Sequence, residues 1–177
     1  LLKLIYCVGV DCIVSPVIYL KTGQSTRFGG NMSFFDGIPK KYEPFLIKKK
    51  FAKGEPIIFR EENNENIYAI DSGEVIVYMS DSNGGFSIIA RYGPGDIFGE
   101  LEMFCDGVMT SDVRAVSECR TTSLHKQYLF DWLQDDFTQT QKLLRHFAEN
   151  MRKHGLLASK MSVLSVKQRV AETILSY

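Results

Sequence analysis

The chain has 177 residues, of which 45% are hydrophobic, 12% aromatic and 24% charged. These are the proportions of a globular domain, and they exclude collagen, low-complexity disorder and a disulfide-stapled miniprotein. The 21 basic residues balance the 21 acidic ones, so the formal net charge is zero. A chain that holds duplex DNA by itself usually carries a basic excess, because phosphate neutralisation supplies most of that affinity. Either this chain does not bind DNA, or the part that binds it is absent.

The first 31 residues differ in composition from the rest of the chain. Residues 1–20 are largely apolar, but a lysine, an aspartate and a proline interrupt them. A membrane-spanning helix needs about 20 uninterrupted apolar residues, so we expect no membrane contact. The residues Gly29-Gly30-Asn31 before Met32 can be encoded by a run that resembles a bacterial ribosome-binding site. We therefore interpret residues 1–31 as a doubtful leader, upstream nucleotides read as protein. A Gly-Gly turn before an internal methionine and a real membrane-proximal leader are the alternatives.

From Phe45 to His125 the chain is typical of short strands between glycine turns. The predicted strands are rich in β-branched and aromatic residues, and they are Ile57–Phe59, Ile67–Ile70, Glu74–Met79, Phe86–Tyr92, Thr110–Val116 and Thr121–His125. Residues 81–85 predict a hairpin, since Asn and Gly adopt positive φ at low cost. Strands of this kind favour a β-sandwich or a jelly roll over a doubly wound nucleotide fold.

After His125 the apolar spacing becomes helical. It predicts a short helix around Tyr128–Leu133 and a long one from about Asp136 to Met161. The spacing of apolar residues along the long helix is typical of a coiled-coil seam between two copies of the chain. The predicted dimer interface consists of Phe137, Leu144, Phe147, Met151, Ala158 and Met161. A second stripe through Leu143 and Phe147 would pack on the β-domain; the alternative is one wide core-facing stripe on a monomer. Gly155 marks either a close approach or a local break of the helix.

One short motif is the main candidate for a binding site in this sequence. The segment Gly95–Leu101 reads GDIFGEL, a glycine turn that leads into a short helix and places Glu100 to accept hydrogen bonds from hydroxyl groups. The alternative is that the glycines only form turns and that Glu100 caps the helix.

The motif is one of an ordered set that resembles the cyclic-nucleotide-binding domain, and more narrowly the bacterial CRP/FNR family of transcription regulators. The set consists of Lys53-Gly54-Glu55, Ile67–Ile70 with Gly73, Gly95–Leu101 and Val113-Arg114-Ala115. The resemblance implies a mainly β fold with α, an eight-stranded jelly roll of the double-stranded β-helix type, over residues 32–135. It further implies a dimerisation helix over residues 136–164 and, at residues 165–177, the start of a winged helix-turn-helix DNA-binding domain. The rest of that DNA-binding domain is not in this chain.

The resemblance also locates an effector pocket. It implies that Glu100 holds a ribose hydroxyl in members that bind cyclic AMP, and that an arginine neutralises the cyclic phosphate. Here no lysine or arginine occurs between Glu100 and Arg114, so we do not expect cyclic AMP as the effector. The predicted pocket residues are Ile89, Ala90, Gly99, Glu100, Met109, Thr110, Ser111, His154 and Gly155. The effector is unknown, and the alternatives are a pocket for a neutral or aromatic ligand and a filled core.

The sequence offers little material for a metal site or for catalysis. The chain has four cysteines and three histidines, Cys7, Cys12, Cys105, Cys119, His125, His146 and His154. They lack the close spacing of zinc ligands, and no histidine precedes His125 to build a cupin site. An iron–sulfur cluster needs four thiolates, but Cys7 and Cys12 fall in the doubtful leader, so two cysteines remain. We predict no catalytic residues, no metal and reduced thiols in the cytoplasm. A stand-alone regulatory module without DNA binding is the alternative to a transcription regulator.

Overall fold

The computed structural model describes residues 33–60, 62–80, 86–105 and 111–163. The described residues form eight strands and three α-helices. In chain order they are β1 (Ile47–Phe51), β2 (Pro56–Ile58), β3 (Asn66–Ser72), β4 (Val75–Ser80), β5 (Phe86–Tyr92), β6 (Ile97–Phe98), α1 (Leu101–Phe104), β7 (Asp112–Ala115), β8 (Cys119–His125), α2 (Lys126–Asp135) and α3 (Phe137–Val163). The predicted leader at residues 1–31 and the predicted DNA-binding segment at residues 165–177 lie outside the described residues.

The strands form two four-stranded antiparallel sheets, and the predicted jelly roll is confirmed. The sheet orders are β1-β8-β3-β6 and β2-β7-β4-β5, so sequence neighbours are often separated in space. Strands β4 and β5 pair from Val75 opposite Tyr92 to Ser80 opposite Phe86, on either side of the predicted turn at residues 81–85, which lies outside the described residues. Their register shifts so that Ile89 has no direct partner, which makes it a β-bulge.

Strand β3 is buried on both faces because it lies between two hydrophobic clusters. Ile67 and Ala69 belong to the cluster beneath the helices, and Ile70 belongs to the cluster between the sheets. This division follows from the period of two along a strand, which sends successive side chains to opposite faces. Tyr68 stacks on Phe98 of β6 with ring centroids 4.9 Å apart.

An N-terminal segment, residues 33–46, completes the cluster beneath the helices. Its Phe34 and Phe35 pack against Trp132 of α2, with ring centroids 5.8 and 6.4 Å away, respectively. Gln139 of α3 is buried and its Nε2 donates to the Phe34 carbonyl oxygen at 3.1 Å. The sequence analysis made no prediction for this segment. Its packing holds the beginning of α3 against the β-domain.

Both long helices begin at a side-chain cap. His125 Nδ1 accepts from the Gln127 N–H before α2, and Asp136 Oδ1 accepts from the N–H groups of Thr138 and Gln139 before α3. Caps of this kind satisfy backbone donors that have no partner within the helix. Helix α3 spans 27 residues and runs through Gly155, so the suggestion of a local break at that glycine is wrong.

Candidate effector site

The turn after β6 carries Glu100 into the β-domain. Gly99 has φ of +80°, and a Cβ built there would lie 2.8 Å from both Asn64 Nδ2 and the Asn66 carbonyl oxygen. A side chain at position 99 is therefore excluded both by the backbone conformation and by space. The following residue, Glu100, is only 4% exposed.

Glu100 does not serve as a helix cap. It stands at the N-cap position of α1, but its side chain makes no capping hydrogen bond. The interpretation of Glu100 as a capping carboxylate is therefore wrong. Its burial instead makes the carboxyl a polar group inside the domain, as a binding site requires.

Burial sets the electrostatics around Glu100. Desolvation is the main reason that the pKa of Glu100 is raised to about 7, and the nearby carboxylate of Glu102 contributes a smaller part of the increase. Desolvation also raises the pKa of the Tyr92 hydroxyl, with Glu100 and Asp96 adding to the effect. Neither group carries a positive charge that could neutralise an anion placed beside it.

Helix α3 contributes His146 to the site. His146 Nε2 lies 3.9 Å from Glu100 Oε1, and both side chains are about 5% exposed or less. The same nitrogen lies 3.0 Å from Asn150 Nδ2, one turn further along α3. Burial lowers the pKa of His146 to about 4, with the charge of Lys153 as a second cause, so the ring is neutral at physiological pH.

The sequence analysis missed His146 and named His154 and Gly155 on the same helix. Both of these residues are exposed, and His154 lies about 12 Å further along the helix axis by the rise of an α-helix. The available signal was the spacing of Leu143, His146 and Asn150. These residues share the stripe that we predicted to pack on the β-domain.

The other predicted pocket residues are distributed over three elements. Ser111 is buried just before β7, while Ile89 and Ala90 are half-buried on β5, with Ile89 at the bulge. Met109 and Thr110 lie outside the described residues. Arg114, the first arginine after Glu100, is exposed and donates to the Tyr78 hydroxyl at 2.7 Å.

An aromatic cluster joins α1 to the two longer helices. The Phe104 ring of α1 lies 5.3 Å from that of Phe130 in α2 and 5.5 Å from that of Phe147 in α3. The sequence analysis assigned Phe147 to the dimer interface as well as to the inner stripe. The structure places it half-buried against its own domain. The short helix that follows Glu100 is thus in contact with α3 at a second point.

The remaining predicted interface residues form an exposed stripe on α3. Phe137, Leu144 and Met151 are 70%, 59% and 75% exposed, respectively. Ala158, seven residues further on, is also exposed, and the side chain of Met161 lies outside what the structure describes. Residues seven apart lie on one face of a helix after nearly two turns.

The described residues offer no candidate for metal binding. Within them, the structure has no group of three or more His, Cys, Asp or Glu side chains that could hold a metal ion. None of the helices in the described ranges is both long and apolar enough to cross a membrane.

Comparisons with known proteins agree with this architecture. Residues 48–136 match the family model of the cyclic nucleotide-binding domain. A "CRP-like cAMP-activated global transcriptional regulator" of Mycobacterium tuberculosis is 29% identical over 125 residues, which covers 71% of this chain and 56% of that protein. The chain thus spans little more than half the length of this relative.

Two solved structures share the fold at lower sequence identity. The catabolite activator protein of Thermus thermophilus superposes with a TM-score of 0.61 at 20% identity, covering 73% of this chain and 62% of the other. The c-di-GMP responsive global regulator CLP of Xanthomonas campestris superposes with a TM-score of 0.63 at 16% identity, covering 74% of this chain and 66% of the other. The resemblance to CRP-like regulators that the motifs predicted is confirmed.

Proposed function

Because the chain belongs to the cyclic nucleotide-binding domain family, we propose that it is the effector-sensing and dimerising part of a CRP/FNR-type transcription regulator in the cytoplasm. The observation that supports the proposal is that two faces of α3 have different surroundings. One face of this helix reaches Glu100 through His146, and the other exposes Leu144 and Met151. A helix of this kind connects a ligand site to a subunit interface. The CRP-like relatives are named as regulators and not as enzymes.

The exposed stripe supports a homodimer related by a twofold axis. Large apolar side chains in a row on one helix face are stabilised when a second copy covers them. Ala148 and Gly155 lie on the same face as Leu144 and Met151, and both are small and exposed. Small residues permit the two helices to approach closely.

We infer that the effector is not cyclic AMP. No lysine or arginine occurs between Glu100 and Arg114, and Arg114 is engaged by Tyr78. A hydrogen bond to a charged group is worth about 1.5–3 kcal/mol, so a cyclic phosphate without its cation would lose at least about tenfold in affinity. The half-buried apolar residues of β5 favour an uncharged or aromatic ligand.

The proposed mechanism is a two-state shift of the paired helices. An effector that binds beside Glu100 with different affinities in the two arrangements changes their populations. Through a DNA-binding domain beyond residue 164, that shift re-aims two recognition helices toward half-sites one turn of duplex apart. A difference of a few kcal/mol between the two states is sufficient.

Native mass spectrometry of the protein purified from its own organism tests the proposal. We expect the mass of a dimer together with a small molecule, which denaturing conditions release for identification. A protein that is monomeric at micromolar concentration, or a released ligand that is cyclic AMP, would contradict it.

A selection from fragmented genomic DNA tests the second half of the proposal. We expect the native dimer to enrich sites with two half-sites. A dimer that enriches no sequence would instead identify a stand-alone regulatory module.

A further inference from the structure

At the candidate site, Glu100 of the β-domain and His146 of α3 approach each other. Their two nearest atoms, Glu100 Oε1 and His146 Nε2, are 3.9 Å apart, and both side chains are almost completely buried. This separation exceeds a hydrogen bond by less than 1 Å, since an O–H···N contact forms at roughly 2.7–3.2 Å. A small displacement of α3 therefore makes or breaks a direct hydrogen bond.

The hydrogen bonding of His146 determines whether Glu100 must donate or accept a hydrogen bond to contact it favourably. Asn150 Nδ2 is 3.0 Å from His146 Nε2 and donates to it. That nitrogen consequently acts as an acceptor, and the neutral ring carries its proton on Nδ1. A protonated Glu100 can donate its O–H to the single lone pair of Nε2 in place of Asn150, whereas an ionised Glu100 presents a second acceptor to it. The two groups attract each other in one protonation state of Glu100 and repel each other in the other.

We propose that His146 is the positioning residue through which α3 responds to the state of the Glu100 carboxyl. A proton on Glu100 draws α3 toward the β-domain through His146, and loss of that proton releases it. An effector group that takes the hydrogen bond of Glu100 has the same consequence as loss of the proton. This inference rests on the proposed function, because it makes the pair the link between effector pocket and dimerisation helix.

The charged neighbours of the pair come from three elements. Glu102 of α1 acts on Glu100, and Tyr92 of β5 is affected by Glu100 in turn. On α3, Lys153 lowers and Glu149 raises the pKa of His146. Glu102 and Lys153 both favour the uncharged forms of the residues they act on, Glu100 and His146 respectively. They therefore favour the state in which Glu100 can donate to His146.

A double-mutant cycle at two pH values tests the proposal on the full chain without any ligand. Glu100→Ala, His146→Ala and the double variant are unfolded in urea at pH 6 and at pH 8.5. At pH 6 we expect the two positions to be coupled by about two- to tenfold in the folding equilibrium constant, the range of one hydrogen bond. At pH 8.5, where Glu100 is ionised, we expect the favourable coupling to be lost and its sign to reverse. A coupling that is equal at both pH values indicates packing alone and overturns the proposal, as does its absence at pH 6.

Glu100→Gln is the matched control, because its amide donates at every pH. In a cycle with His146→Ala, it should retain the coupling at pH 6 and at pH 8.5.

If the alanine variants do not fold, proton NMR of the wild-type His146 ring replaces the cycle. Its resonances should shift with a midpoint near pH 7 in the wild type and should not shift there in Glu100→Gln; an unshifted wild-type resonance overturns the proposal. Carried out in a Met151→Asp background that keeps the chain monomeric, these measurements involve neither dimerisation nor ligand identity nor DNA, so their failure is distinguishable from failure of the proposed function.

Discussion

The two faces of α3 reverse the usual distribution of polar and apolar side chains. The inner face buries Gln139 and His146, which are 2% and 5% exposed, beside Leu143. The outer face exposes Phe137, Leu144 and Met151, each at 59% or more. In a helix of a monomeric protein the apolar residues face the core and the polar ones face solvent. The β-domain thus takes polar as well as apolar contacts from α3, whereas the exposed apolar side chains of this helix form the surface that we propose a second copy covers.

Substitution of the adjacent leucines Leu143 and Leu144 should give the largest difference in the free energy of unfolding between the two faces of α3. Leu143→Ala should lower the free energy of unfolding by about 2–5 kcal/mol, because Leu143 is 3% exposed and its loss leaves a cavity. Leu144→Ala should leave the stability of the monomer nearly unchanged, because Leu144 is 59% exposed. Urea unfolding of both variants in a Met151→Asp background, chosen to keep the chain monomeric, gives the comparison. Equal losses for the two leucines would contradict the assignment of the faces.

The outer face is tested directly by a charge at Met151. Met151→Asp should raise the dimer dissociation constant by at least about thirtyfold, since a central interface residue contributes about 2 kcal/mol or more. Sedimentation velocity over a range of concentrations measures the change. Thr138→Asp adds the same charge at another exposed position of α3 and should leave the dimer intact. An unchanged dimer in Met151→Asp would refute this interface.

The inner face is tested by the pH dependence of stability. The pKa of Glu100 is raised to about 7 in the folded state, so folding is favoured when it is protonated, and this stability is lost as pH rises from 4.5 through 7. The pKa of His146 is lowered to about 4, so its contribution is lost as pH falls from 6.5 through 4. Between pH 4.5 and 6.5 the two slopes oppose each other.

Removing the carboxyl should expose the slope of the histidine. Glu100→Gln should be more stable than wild type at pH 8 by on the order of 3 kcal/mol, because a neutral amide avoids the cost of a buried charge. It should also lose stability below pH 6.5 more steeply than wild type does. Urea unfolding at intervals of pH checks both results, and a wild type that is more stable than Glu100→Gln at pH 8 would contradict the assignment.

Substitution of Gly155 should give the smallest change in stability, and we expect opposite effects on the monomer and on the dimer. A Cβ built at this position meets nothing within 4 Å in the structure. Gly155→Ala should therefore stabilise the helix of the monomer by about 0.5–1 kcal/mol, while it weakens the dimer severalfold if the partner helix crosses there. Unfolding and sedimentation of the same variant measure the two effects. Arg152→Ala on the same helix is the control, and we expect it to leave the dimer unchanged.

Local sequence patterns predicted the strands and helices whose own residues show the alternation of a strand or the apolar spacing of a helix. Strand β5 covers the predicted Phe86–Tyr92, and α3 is helical through the predicted Met161. The alternation along these strands and the spacing along the helix are consequences of backbone geometry, which every sequence of that pattern shares. The resemblance of Gly95–Leu101 to a known motif likewise singled out Glu100, the carboxyl that the structure buries, as a candidate site residue.

Elements that depend on distant partners were not predicted. Strand β1 consists mainly of exposed lysines and is a strand because it pairs with β8, Lys48 lying opposite Thr122. Strand β6 has only two residues, opposite Tyr68 and Ala69 of β3. The N-terminal segment belongs to the core because Phe34 meets Trp132 almost a hundred residues away. No local period indicates such contacts.

The sequence by itself determined the jelly roll and the long helix, because strand and helix patterns follow from local geometry and the ordered motifs resemble those of a known domain. The tertiary structure alone decided which residue of α3 meets Glu100. His146 and His154 both lie on one helix, but only the packing of Leu143 and Gln139 on the β-domain fixes the rotation of α3 that buries His146 and exposes His154. The orientation of a helix is a property of all the contacts that hold it, and no short stretch of sequence contains them.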